Sequence, residues 1–180
     1  MHKIKFRSKY IALAVFHSFL TFIFVHPCYS NFLKKDLKVC FTPGEDCTKL
    51  IVEELNNANT EILVQAYSLT SAPIAKALVD AFMRGVNVQI ILDRSQKTAK
   101  YSALSFFIKL GIPTFIDDKH AIAHDKIIII DSEILMTGSF NFTKAAQERN
   151  AENLIIINHF SLIEKYKKNW QLHFRHSKSG

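Results

Sequence analysis

Between residues 124 and 141 the chain places an imidazole, an ammonium, a carboxylate, a hydroxyl and a carboxamide in close succession: His124, Lys126, Asp131, Ser139 and Asn141. On an extended strand alternate residues share a face, so His124 and Lys126 project together and Asp125 points away. Taken alone, His-x-Lys reads as a solvated strand end. Here it leads into the apolar run Ile127 to Ile130, where an imidazole beside an ammonium is costly to bury without a purpose. Asp131-Ser132-Glu133-Ile134 has the look of a tight hairpin. If its loop is Ser132-Glu133, Asp131 pairs with Ile134, Lys126 faces Ser139 and His124 faces Asn141, with opposed Cβ atoms about 5 Å apart. A three-residue loop would break that pairing. The converged patch suits a phosphate group: Lys126 supplies charge, Ser139 and Asn141 supply donors, and His124 can act as nucleophile or general acid. Asp131 lies ~23 Å along an extended strand from His124, so it reads as a structural or pairing carboxylate. Glu152, at the start of another strand signal, is the candidate to orient His124.

The elements that must position these groups follow from periodicity and punctuation. Leu37 to Phe41 reads as a strand, Pro43-Gly44 as a turn, and Cys47 to Ala58 as a helix with Leu50, Ile51, Leu55 and Ala58 on one face. Glu61 to Tyr67 is a strand. Ser71 and Pro73 open a helix striped by Ile74, Ala77, Leu78, Ala81 and Phe82, which ends at Gly85. Val86, Val88, Ile90 and Leu92 alternate as a strand does. A polar loop from Asp93 to Ala99, a helix to Leu110 and a short strand near Thr114 follow. The strands Ile122 to Ile130, Ile134 to Ser139 and Glu152 to Asn158 precede a last helix from Phe160 to about Phe174, striped by Ile163, Tyr166 and Trp170. Strands alternating with helices predict one α/β domain, a mixed β-sheet flanked by helices.

The run His124-x-Lys126-x(4)-Asp131-x(6)-Gly138-Ser139-x-Asn141 resembles the HKD signature of the phospholipase D superfamily in residue type and spacing. The likeness extends through Phe140-Asn141-Phe142-Thr143 and Asn150-Ala151-Glu152-Asn153. From Cys40 to about Trp170 the chain is similar to the short, exported, single-motif members, which include a bacterial endonuclease and small secreted proteins named phospholipase D. The resemblance implies a phospholipase D-like fold and a phosphodiester hydrolase. In that mechanism a histidine attacks phosphorus, a phosphohistidine forms, and a second histidine protonates the leaving oxygen, with neither metal nor cofactor required. One motif supplies one such histidine, so the resemblance also implies a twofold homodimer sharing one composite site. Phospholipid head groups, with transient contact at a membrane surface, and nucleic acids are both expected substrate classes; a non-catalytic binding protein is the third reading.

The formal charge of +7 does not choose between them. The first thirty residues carry four of the 23 bases and no acid, leaving 19 bases against 16 acids, too even a balance to predict a polyanionic partner from bulk charge. That segment reads as an export signal: a basic stretch to Lys9, an apolar run from Tyr10 to Val25 that is short for a membrane span, and small side chains around Cys28-Tyr29-Ser30. Cleavage after Ser30 would leave a mature domain of residues 31–180, periplasmic or secreted; an uncleaved anchor is the alternative. Phe24-Val25-His26-Pro27 is a poor lipobox. Cys40 and Cys47 then remain, separated by a turn-forming stretch, and an oxidising compartment favours their pairing over two free thiols. His120, His159, His173 and His176 read as surface or edge histidines, and no cluster with metal-ligand spacing is evident. The bases Lys165, Lys167, Lys168, Arg175 and Lys178 read as the solvated face of the last helix, while Lys97 and Lys100 could border a substrate path.

Overall fold

The computed structural model describes residues 37–180; the expected export segment lies outside the described residues. The strands are β1 (Leu37–Thr42), β2 (Glu61–Ala66), β3 (Asn87–Asp93), β4 (Thr114–Asp117), β5 (Lys126–Ile130), β6 (Ile134–Gly138), β7 (Glu152–Ile157) and β8 (Lys178–Ser179). The helices are α1 (Cys47–Asn56), α2 (Ala72–Met83), α3 (Leu104–Lys109), α4 (Lys144–Glu148) and α5 (Phe160–His176). All eight strands join one mixed sheet in the order β1-β7-β6-β5-β2-β3-β4-β8. The pairs β2/β3 and β3/β4 are parallel and the others antiparallel. The expected mixed sheet with flanking helices is therefore the architecture found, with α4 and β8 as additions too short for sequence periodicity to reveal.

The isoleucines of β5 show why the sheet is buried on both faces. Ile128 and Ile130 turn to one side, among Ile51, Leu55, Ile74 and Leu78 of α1 and α2. Ile127 and Ile129 turn to the other, against Ile163 and Trp170 of α5. Each such side chain contributes roughly 1.5–3 kcal/mol on leaving water. Trp170 fits this apolar layer because its Nε1–H donates to the Val64 carbonyl at 2.9 Å. Cys40 on β1 and Cys47 at the start of α1 are joined in a disulfide, with Cα atoms 5.7 Å apart.

The hairpin corrects the expected register. Ile130 pairs with Ile134, Ile129 with Leu135 and Ile128 with Met136, so the loop has three residues, Asp131 to Glu133, and the two-residue loop is not formed. Continued to the strand ends, this register sets Lys126 beside Gly138 rather than Ser139. The cause is the carboxylate of Asp131. It accepts hydrogen bonds from the amides of Asn59 (2.9 Å), Thr60 (2.8 Å) and Glu61 (2.9 Å) and from Thr60 Oγ1 (2.8 Å). Reaching them draws Asp131 out of the ladder into a left-handed conformation, φ 53°, followed by Ser132 at φ 56°. Asp131 thus locks the entry of β2 to the end of β5, one strand length from Lys126.

Burial works against the charge on Asp131, but the donors from Glu61, Thr60 and Asn59 outweigh it and hold its pKa down, at about 2. A depressed carboxylate pKa stabilises the fold above the unfolded value of 3.8, and that contribution is lost as pH falls toward about 2. Asp131→Ala is expected to cost about 3 kcal/mol and to flatten the fall in stability over that acid range. Chemical denaturation at pH 7 and at pH 3 checks both.

Candidate active site

His124 stands in the connection between β4 and β5, just before the ladder begins, so the strand expected from Ile122 starts at Lys126 instead. The pair still meets. Lys126 Nζ lies 3.0 Å from His124 Nδ1 and 2.7 Å from the His124 carbonyl. Lys126 is buried and His124 exposed, so the ammonium forms the floor and the imidazole the rim. Tyr67, which follows β2, packs against both: its ring centroid is 4.6 Å from that of His124 and 5.3 Å from Lys126 Nζ. Its amide donates to the Asp125 carbonyl at 2.8 Å, fixing the backbone between the two site residues. Asp125 itself points away, as strand alternation requires, and accepts from Gln65 Nε2 at 2.9 Å. Sequence reading passed over Tyr67; its only signal was an aromatic residue at the end of a buried strand.

A second group of polar side chains flanks the first. Ser139 Oγ donates to Glu152 at 2.6 Å and accepts from the Asn153 amide at 3.0 Å. Asn150 Nδ2 donates to the other oxygen of Glu152 at 2.9 Å. Glu152 is therefore bonded to Ser139 and Asn150 and makes no contact with His124 of its own chain, where the sequence expectation had it orienting that imidazole. It acts on Lys126 through its charge. Burial lowers the Lys126 pKa, and the negative charges of Asp125 and Glu152 partly restore it.

Beyond Gly138 the ladder breaks: the amides of Ser139 and Phe140 both donate to the Asn153 carbonyl, at 3.1 Å each. Two residues thus oppose one, a bulge that shifts the side-chain phase after the hairpin. Asn141 follows this bulge, half-buried, and its Oδ1 has no hydrogen-bond partner. Its carboxamide is not bonded to His124 in this structure, so the four-group patch is met in two parts rather than as opposed pairs.

Histidines outside the motif also depart from expectation. His120, His173 and His176 surround the buried carboxylate of Asp117 instead of lying scattered at the surface. Together the four form a set with metal-ligating chemistry. The sequence signal was present as paired spacings, Asp117-x-x-His120 and His173-x-x-His176, separated by more than a third of the domain. His176-x-Lys178 repeats the His-x-Lys spacing, but Lys178 turns to Asp118 at 2.8 Å. Lys167 is not simply solvated either; it pairs with Glu61 at 2.6 Å.

A buried cation without a carboxylate in salt-bridge contact, an exposed imidazole on it and a polar network beside it suit a tetrahedral anion. They define a phosphodiester hydrolase on a mixed α/β sheet. The family model described as cardiolipin synthase, PLD-like domain, matches residues 51–173, and the chain belongs to this phospholipase D-like family. A protein named phospholipase D from Rickettsia felis is 46% identical over 145 residues, spanning 81% of this chain and 72% of that one. The crystal structure of Nuc, a phospholipase D family member from Salmonella typhimurium, superposes with a TM-score of 0.77 at 37% identity, over 80% of this chain and 97% of that one. NucT from Helicobacter pylori gives 0.73 at 25% identity, over 80% and 98%.

Gly138 lets the bulge form. At its φ of +150° an added Cβ would stand 2.3 Å from the Asn153 carbonyl oxygen. Gly138→Ala is expected to destabilise the protein by about 3 kcal/mol, read as a lowered thermal midpoint. Hydrolytic activity should fall further than the unfolded fraction accounts for, because Ser139 and Asn153 are displaced with it.

Proposed function

We propose that this chain is a phospholipase D-type hydrolase that cleaves the phosphodiester of phospholipid head groups through a phosphohistidine on His124, working as an exported homodimer. The reading is carried by the 3.0 Å contact between an exposed imidazole and a buried ammonium. Lys126 is held where it can meet phosphoryl oxygens, and its charge is worth most in a site that excludes water. Donation from Lys126 to Nδ1 leaves the ring proton on Nε2, the tautomer of a proton donor. When a bound phosphate draws the ammonium onto its own oxygens, Nδ1 can take a proton from solvent and Nε2 can release one. The exposed edge of the ring is then a nucleophile. Attack by Nε2 forms the N–P bond and breaks the P–O bond to the leaving group, whose oxygen takes a proton from a second imidazole. Water then cleaves the N–P bond, giving up its proton to that imidazole.

In-line displacement needs those two imidazoles on opposite sides of phosphorus, and one chain offers a single His-x-Lys pair. A twofold axis beside His124 supplies the other. Ser139, Asn141 and Glu152 complete the phosphate-binding surround in this reading. The Cys40–Cys47 disulfide suits an exported protein.

Phospholipid is favoured over nucleic acid by what borders the site. Ile122, two residues before His124, is 59% exposed. A groove of about 800 Å³ beside the chain leaving β2 is lined by Ala72, Pro73, Ala75, Tyr101, Ala103 and Phe106, with Thr70 and Lys76 among them. The exposed Ile122 and a mostly apolar groove on the chain that follows Tyr67 suit acyl chains at a lipid surface. The nuclease reading draws on Lys144 and Arg149, which line a neighbouring recess with Tyr101. Assays of the purified protein on phosphatidylcholine vesicles and on plasmid DNA, both with EDTA present, separate the two. Hydrolysis of vesicles at a rate well above that of DNA is expected, and the reverse preference would replace the lipid reading with the nuclease one.

His124→Ala should lower turnover by about four orders of magnitude or more while the fold persists, and Lys126→Ala by about 10²–10³-fold. Mixed dimers of wild-type and His124→Ala chains, isolated with two different tags, are expected to be nearly inactive. Retention of half the wild-type rate would show that each chain works alone.

A further inference from the structure

We propose that Asp117, His120, His173 and His176 form a zinc-binding site of the structural type, distinct from the hydrolytic centre. Asp117 ends β4 with its carboxylate fully buried. Its Oδ2 is approached by three imidazole nitrogens: His173 Nδ1 at 2.7 Å, His120 Nδ1 at 2.9 Å and His176 Nε2 at 3.2 Å. Its Oδ1 is occupied elsewhere, accepting from the amides of Lys119 (3.1 Å) and His120 (3.4 Å), with His120 Nδ1 also at 3.1 Å. The carboxylate is thus oriented from behind by backbone donors while its free oxygen faces the imidazoles, the arrangement in which outer hydrogen bonds aim a metal ligand.

A hub of hydrogen bonds does not account for this geometry as well. Three ring nitrogens crowd one oxygen, and His176 Nε2, although 3.2 Å away, is buried and not aligned to form a hydrogen bond with any partner. Four candidate donor atoms, one from each residue, lie within 4.8 Å of one another. Around zinc, with bonds of about 2.0–2.1 Å, tetrahedral ligand atoms stand roughly 3.3 Å apart. To admit the ion, the imidazole nitrogens at 2.7–3.2 Å from Oδ2 would move slightly outward from the carboxylate while the widest pairs of the set, within 4.8 Å, close up. Three imidazoles and one carboxylate fill four positions and leave none for a reacting water, which makes the site structural.

Its place in the fold says what it would hold. His173 and His176 share one side of the last turn of α5, His120 belongs to the segment between β4 and β5, and Asp117 ends β4. Phe115, two residues before Asp117, packs in the α5 layer, so Asp117 faces that layer too. Ala66, the strand partner of Lys126, belongs to the opposite layer. The ion would therefore clip the C-terminal helix to the sheet on the face away from His124, while gripping the segment that delivers His124 four residues later. The site does not depend on the proposed substrate or on the phosphohistidine chemistry.

The test uses full-length, tag-free protein stripped with a chelator and then titrated with zinc chloride. One zinc per chain with a dissociation constant below about 1 μM is expected, together with a raised thermal midpoint and, with cobalt(II) in place of zinc, the visible absorption of a tetrahedral ion. His173→Ala and His176→Ala should weaken binding by about 100-fold or more, whereas His124→Ala should bind zinc as the wild type does. The zinc-free protein, assayed well below its melting temperature, should still hydrolyse the phosphodiester substrate found in the EDTA assays. Sub-stoichiometric uptake by the wild type, or undiminished binding in both histidine variants, would overturn the proposal. So would binding that disappears in His124→Ala, which would place the ion at the hydrolytic centre. If either histidine variant fails to fold, the wild-type stoichiometry and the cobalt spectrum decide alone.

Discussion

The structure turns on the ammonium of Lys126, held at the mouth of a strand whose other four residues are isoleucines buried on both faces. Placing a cation there carries a desolvation penalty, seen in the lowered Lys126 pKa. The surrounding protein does not cancel that penalty with a salt bridge. Lys126 is bonded to an imidazole and a carbonyl, with Asp125 and Glu152 near enough to act only through space. A site arranged in this way is short of one negative charge, which a bound anion would supply. Had Glu152 reached Lys126 directly, the pair would be self-satisfied and a phosphate would have to displace it. Instead Ser139 and Asn150 hold that carboxylate back.

Carboxylates do the mechanical work at both ends of the strands. Asp131 gathers three successive amides at the entry of β2. At the other end Asp93 and Asp117 are neighbours across the β3/β4 ladder. Asp93 accepts from Ser95 at 2.9 Å and from the amide of Ala123 at 2.8 Å, one residue before His124. In each case a short acid converts loop amides that strand pairing cannot satisfy into fixed points. The sheet's hydrophobic layers set where the strands lie, while these acids set where the loops leave them.

Much of this was legible because hydrophobic period and punctuation are local properties. The helix at Ile74 to Phe82, the alternation of Val88, Ile90 and Leu92, and the isoleucine run of β5 each announce their element without reference to the rest of the chain. The His-Lys pair was legible for the same reason, since two residues of separation on an extended chain suffice to bring them together. The hairpin register was not, because it depends on amides of Asn59, Thr60 and Glu61, some seventy residues from the Asp131 they bind. The commitment of Glu152 to Ser139 and Asn150 was hidden by the same dependence on tertiary contacts, as was the gathering of His120, His173 and His176. Their paired spacings are visible in the sequence, but the separation of 56 positions from Asp117 to His173 leaves their meeting to the packing of α5.

These non-local contacts explain how a single short motif can be positioned without a rigid strand beneath all of it. His124 precedes β5, so backbone ladder bonds do not hold its own residue in place. The connection carrying it is instead held from three directions: at His120 by Asp117, at Ala123 by Asp93, and at Asp125 by the amide of Tyr67 and the carboxamide of Gln65. Each anchor lies on a different strand of the parallel portion of the sheet, β4, β3 and β2 or the residue just after it, in the order in which those strands sit side by side. The connection is thus laid across the ends of the parallel strands and tied to each as it passes. His124 falls between the last two ties, its backbone held on both sides and its exposed ring set beside Lys126 and Tyr67.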